Sequence, residues 1–127
     1  DRKAETAGIT IAKQLCPKPV APVLWRFADV APHWDQILLR SRIVVGGKRE
    51  PYQEGTAAIM QRPEALIAKY RGGKSGGLAV RTAMFCGTMA VHGGIRPADR
   101  FEIVMADPVL KRAIRHSYAI RTLPVAG

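Results

Sequence analysis

Apolar positions in the second half of this chain recur at spacings that read as helices. In DPVLKRAIRHSYAIRTLP, residues 107–124, Asp107 is a good N-cap, Pro108 suits a first helical turn and Pro124 marks a stop. On a wheel of about 100° per residue, Leu110, Ile114, Ser117 and Tyr118 share one side, while Lys111, Arg112, Arg115 and His116 share the other. The pattern predicts an amphipathic helix with a cationic face. Arg121 falls on the apolar side, near enough to the end to reach solvent or terminal carbonyls.

The preceding RPADRFEIVMA reads as a short helix from Pro97, with Phe101, Val104 and Met105 at i, i+3 and i+4. The segment GGLAVRTAMFCGTMAVHGG is apolar almost all round, which predicts a central core helix stopped by Gly93-Gly94. Ala79, Ala83, Gly87 and Ala90 would form its small-residue strip, with Arg81 its one charge. Earlier, RPEALIAKY and APHWDQILLRS read as helices opened by Pro63 and Pro32, the second with Asp29 as a candidate cap. ETAGITIAKQLC reads as a helix too, followed by the proline-rich connector CPKPVAP. RIVVGGKREPY is ambiguous, because Ile43, Val44 and Val45 favour a strand while Gly46-Gly47 can turn a hairpin or end a helix. The expectation is one mainly α domain over 1–127, a compact bundle of about five or six short helices, with a small β element left open near residues 43–53.

Composition changes the picture through charge. The 127 residues carry 20 Lys+Arg against 10 Asp+Glu, a formal net charge of +10. The surplus is uneven: residues 1–68 hold ten basic and seven acidic side chains, residues 69–127 ten basic and three acidic, so +3 against +7. Such a surplus is offset most readily by a polyanion, which makes nucleic acid the leading partner and the second half the expected contact surface. Cys16 and Cys86 form no CxxC and no Cys/His cluster, so neither a disulfide framework nor a metal site is indicated, and a reducing, cytoplasmic setting is expected. No apolar run is long enough to predict a membrane span, and the opening DRKAETAG lacks a secretory apolar core. That opening has no initiating Met, which leaves trimming or an uncovered preceding stretch open.

Local motifs add little catalytic chemistry. YRGGKSGG, residues 70–77, ends like a nucleotide-binding loop at Gly73-Lys74-Ser75, but Ala68 stands where the pattern GxxxxGK[ST] needs its first glycine. What precedes is helical in pattern rather than a strand. The stretch therefore reads as a joint, with Arg71 and Lys74 placed to touch a phosphate backbone. His33, His92 and His116 are scattered, with no local motif uniting them; a small basic nuclease or toxin using His92 or His116 is the alternative from the enzyme class. A coat or assembly protein binding through Trp25, Trp34 and the small-residue strip is the third reading. No cofactor is implied.

The stretch GGIRPADRFEIVMADPVLKRAIRHSYAIRTL resembles the small helical subunits of CRISPR effector ribonucleoprotein complexes, in which a glycine-containing link leads to an Arg-Phe helix, an acidic break and a Leu/Arg-rich helix. The resemblance covers about the last quarter of the chain. It implies a non-catalytic role in antiviral defence, with copies stacked along a guide RNA and Arg96, Arg100, Lys111, Arg112 and Arg115 on the nucleic acid. Together these readings predict a non-enzymatic subunit of a larger assembly, binding RNA or single-stranded DNA and other protein subunits or its own copies. The expected contacts are Arg71, Lys74, Arg81, Arg96, Arg100, Lys111, Arg112, Arg115 and His116.

Overall fold

The computed structural model describes residues 16–121. Its centre is a four-stranded antiparallel sheet, and the helical bundle predicted from the sequence is overturned. Two short α-helices are present among the described residues, α1 (Phe27–Val30) and α2 (Pro63–Tyr70), with 3-10 turns at Ala31–Gln36 and Ala57–Ile59. The strands are β1 (Leu38–Val45), β2 (Lys48–Thr56), β3 (Arg100–Asp107) and β4 (Arg112–Ala119), in the order β2-β1-β3-β4. The helix read over ETAGITIAKQLC and the stop at Pro124 lie outside the described residues.

β1 and β4 follow a period of two that the helical reading overlooked. In β1, Arg40 and Arg42 are exposed while Ser41 and Ile43 are buried. The APHWDQILLRS helix therefore ends as a 3-10 turn at Gln36, and LLRSRIVV continues as strand. Gly46 and Gly47 take φ of +54° and +81° between the paired Val45 and Lys48, the two-residue turn that matches strand twist and that glycine enters without a Cβ penalty. The small β element left open at 43–53 is thus two full strands, half of the sheet. β2 is an edge strand, which tolerates Pro51, and the register shifts beside it between Ser41 and Arg42, leaving Tyr52 as the extra residue of a bulge.

The second hairpin replaces the two terminal helices. Asp107 Oδ1 accepts the Val109 and Leu110 N–H groups at 3.1 and 3.0 Å, the same local bonds that an N-cap makes. The turn does not propagate, because Lys111 takes φ of +50° and the chain returns as β4. There Ile114, His116 and Tyr118 face one side and Arg115, Ser117 and Ala119 the other.

Residues 71–99 contain neither helix nor strand, so the central core helix is absent. Gly76 and Gly87 have φ of +106° and +103°, which interrupt any helical run, and Val80 and Phe85 are exposed. The core lies instead on one sheet face. There Val30, Ile37 and Ala57 are buried, with Trp25, Trp34, Leu39, Met60 and Met105 packed around them. Phe27 meets Trp34 edge to face at 5.7 Å. No helix among the described residues is long and apolar enough to cross a membrane.

Candidate polyanion-binding face

The sheet face opposite the core is an arginine surface. Register sets Arg40, Val104 and Arg115 in one cross-strand row, Arg42, Glu102 and Ser117 in the next, and Val44, Arg100 and Ala119 in the third. β2 adds Glu54 opposite Arg40 and Arg49 opposite Val44. Side chains two apart along a strand stand about 6.8 Å apart and neighbouring strands about 4.8 Å, so five arginines share a patch of nanometre size. An open groove of about 650 Å³ runs over it, lined by Arg40, Arg42, Arg49, Glu102 and Arg115 among others.

Two carboxylates partly neutralise the patch. Arg40 Nε donates to Glu54 Oε1 at 2.8 Å. Arg49 holds Glu102 with two nitrogens, Nη2 to Oε1 and Nε to Oε2, each at 3.0 Å. Arg42, Arg100 and Arg115 have no acidic partner among the described residues. Three uncompensated cations on one solvent-facing sheet can neutralise phosphates without first breaking an ion pair.

Of the nine residues expected from the sequence, only Arg100 and Arg115 point onto this face. Arg71 folds inward: its guanidinium donates to the Lys74, Ser75 and Gly77 carbonyls at 3.3, 2.8 and 2.9 Å, so it organises the glycine loop. Lys74 and Arg81 are exposed on the irregular 71–99 segment, Arg81 at φ +67°. Arg96 is tied to Glu50 at 2.9 Å and stacks over the Tyr52 ring at 5.4 Å. Lys111 sits exposed in the β3–β4 turn. His116 faces the core side by strand alternation, its ring 6.2 Å from that of Tyr118, while the residue also borders the arginine groove. The cationic helix face of Lys111, Arg112, Arg115 and His116 is therefore corrected, because strand alternation sends these side chains to different places. Residues 93–123, which carry the resemblance to helical CRISPR subunits, contain a β-hairpin instead of a helix pair.

Arg112 belongs to a structural cluster. Its Nε donates to Asp107 Oδ2 at 3.2 Å, its Nη1 lies 3.8 Å from Asp29, and its guanidinium covers the Trp25 ring at 4.6 Å. His33 Nε2 is 2.9 Å from Asp107 Oδ1. Burial works to raise the Asp107 pKa, but the Leu110 N–H, His33 and Arg112 outweigh it, so the carboxyl is held below its usual range. Every Asp107 contact is a structural partner from the turn, β4 or the 3-10 segment, so the His33–Asp107 pair secures the hairpin to the segment before β1.

Arg40, Arg42 and Arg49 were missed because they lie in the less basic half. The signal that could have found them is local: Ile43, Val44 and Val45 favour a strand, and extending that strand back through Arg40-Ser41-Arg42 puts Arg40 and Arg42 on one face. Among the described residues no group of three or more His, Cys, Asp or Glu is placed to hold a metal ion.

Residues 1–118 match the model of the family described as Protein of unknown function (DUF2848), and the chain belongs to that family. No curated protein and no solved structure matches it.

Proposed function

We propose that this DUF2848-family chain is a non-catalytic module that binds the phosphate backbone of RNA or single-stranded DNA through the arginine face of its sheet, as one subunit of a larger nucleoprotein assembly. The observation that carries the reading is the projection of Arg42, Arg100 and Arg115 from one sheet face with no acidic partner among the described residues, beside Arg40 and Arg49. The +10 net charge supports it. No aromatic ring lies in the three cross-strand rows of this face, so affinity comes from phosphate contacts with little base stacking.

The test is fluorescence anisotropy with labelled single-stranded RNA and DNA oligonucleotides across a salt series. Each phosphate neutralised on a single strand contributes about −0.7 to the slope of log K against log salt, so replacing Arg42, Arg100 and Arg115 by Ser should flatten it by about 2. Replacing Arg71, Lys74 and Arg81 should leave the slope nearly unchanged. The proposal fails if the first triple variant keeps the parent slope, or if the parent protein binds neither oligonucleotide at low salt.

A further inference from the structure

The core-side face of the sheet carries a second concavity, which shares Arg40, Ser41, Ile103 and Val104 with the arginine groove as lining residues. A cleft of about 300 Å³ opens between the sheet, the segment before α1 and the 71–99 segment. Ile103, Met105 and Ile114 form its sheet wall, Met89 closes one side and the exposed Leu24 stands at the rim. Two polar residues also line it, Ser41 and Gln53, exposed by only 5% and 8%. Arg40, which also borders the cleft, has its Nε engaged by Glu54.

The direction of every hydrogen bond beneath this cleft is determined. A backbone carbonyl can only accept, so the Gln53 nitrogen must be the atom 2.7 Å from Met89 O. The second proton on that nitrogen goes to Thr88 Oγ1 at 2.9 Å. Gln53 Oε1 therefore turns toward Ser41, whose hydroxyl proton is committed to it at 2.8 Å. The Ser41 oxygen keeps its lone pairs and Gln53 Oε1 keeps one, while no donor remains on either side chain. The floor formed by Ser41 and Gln53 thus offers acceptors only; Arg40, the one charged lining residue, projects by strand alternation to the opposite face.

From this we infer that the cleft binds a small, uncharged, largely apolar molecule with a single hydrogen-bond-donating head, such as an alcohol, with the head on Ser41 Oγ and the body against Ile103, Met105 and Ile114. The volume is at the lower end of small-molecule sites, which limits the ligand to a few carbons beyond its head. A carboxylate head would meet only acceptors at the floor, and an ether would leave the floor without a donor.

The experiment titrates the full chain with 1-hexanol, its isostere 1-methoxypentane, and hexanoate, following the side-chain methyl resonances of Ile103, Ile114 and Met89. Saturable shifts with hexanol are expected, with the ether weaker by about fivefold or more, the worth of one net hydrogen bond. Ala21→Trp, at a cleft-lining position outside helix and strand, should block entry and abolish saturation while leaving the remaining spectrum folded. The inference is overturned by absence of saturable shifts with hexanol, by ether or hexanoate binding as tightly as hexanol, or by full binding in the Ala21→Trp variant. Since no residue of the arginine triple is altered, these outcomes are independent of nucleic-acid binding.

Discussion

Glu102→Gln is the substitution that most directly probes the arginine face, because it should tighten binding when most surface changes weaken it. Glu102 sits in the central row of the patch and holds Arg49 through two contacts of 3.0 Å. A phosphate bound on Arg42 would lie about 7 Å from that carboxylate, given about 4.8 Å between strands and the length of the side chains. Coulomb repulsion at about 7 Å is about 0.6 kcal/mol at the dielectric of water and about 2.4 kcal/mol at an effective value of about 20. Removing it should therefore tighten oligonucleotide binding by roughly 3- to 50-fold at low salt. Freed Arg49 becomes one more cation for phosphate, so the salt slope should steepen by about 0.7. Folding should change little, since Arg49 is exposed and Glu102 half-buried at the surface, where an ion pair contributes about 0–1 kcal/mol. The assay is anisotropy across a salt series, with thermal unfolding as a control for folding. An affinity that is unchanged or lower at low salt, with the variant folded, would refute the assignment of this face.

Other perturbations test the framework. Asp107 is held below its ordinary value of 3.8, so the stability it contributes is complete above that value and is lost as pH falls through the lowered one. Asp107→Asn keeps an oxygen for the Val109 and Leu110 N–H groups but loses the charge on Arg112 and His33; it should lower the unfolding temperature at neutral pH and show a shallower acid loss than the parent. An equally steep acid loss would count against this account. Gly46→Ala meets no atom within 4 Å, so its cost is conformational, about 1–2 kcal/mol in chemical denaturation, whereas Gly46→Asn should cost less because Asn-Gly suits the same turn. Arg71→Ala should speed proteolytic cleavage within 72–77 by releasing three carbonyls, while oligonucleotide affinity stays within about twofold if Arg71 makes no phosphate contact.

Local chemistry was legible where a few adjacent residues decide it. Pro63 opens α2, and Gly46-Gly47 was one of two readings for a turn that the structure makes. Asp107 was recognised as a residue that accepts the next N–H groups, but the same bonds serve a helix N-terminus and a tight hairpin turn. What separates the two is the continuation. Ile114, His116 and Tyr118 alternate with Arg115, Ser117 and Ala119, whereas the helical wheel had to admit Ser117 to its apolar side. The apolar run from Leu78 to Met89 misled for another reason: hydrophobicity without clear amphipathicity cannot distinguish a core helix from irregular chain laid over a sheet, and Gly87 within it adopts positive φ.

The proposed binding surface was harder to read, because net charge does not say which cations share a face. Parity along each strand decides that, and in β2 the parity itself changes. Glu54 and Arg49 are five residues apart, an odd separation that would place them on opposite faces of an unbroken strand. The bulge at Tyr52 absorbs one residue, so Glu54 pairs opposite Arg40 and Arg49 opposite Val44, both on the arginine face. The same shift leaves Gln53 beside Ser41 under the core-side cleft and places Tyr52 edge to face with Phe101 at 5.9 Å. One inserted residue next to Pro51 thus supplies Arg49 to one site and leaves Gln53 with the other. A prolyl residue inside a strand-like run is the sequence sign of such a bulge, and its consequence emerges only when the partner strand is known.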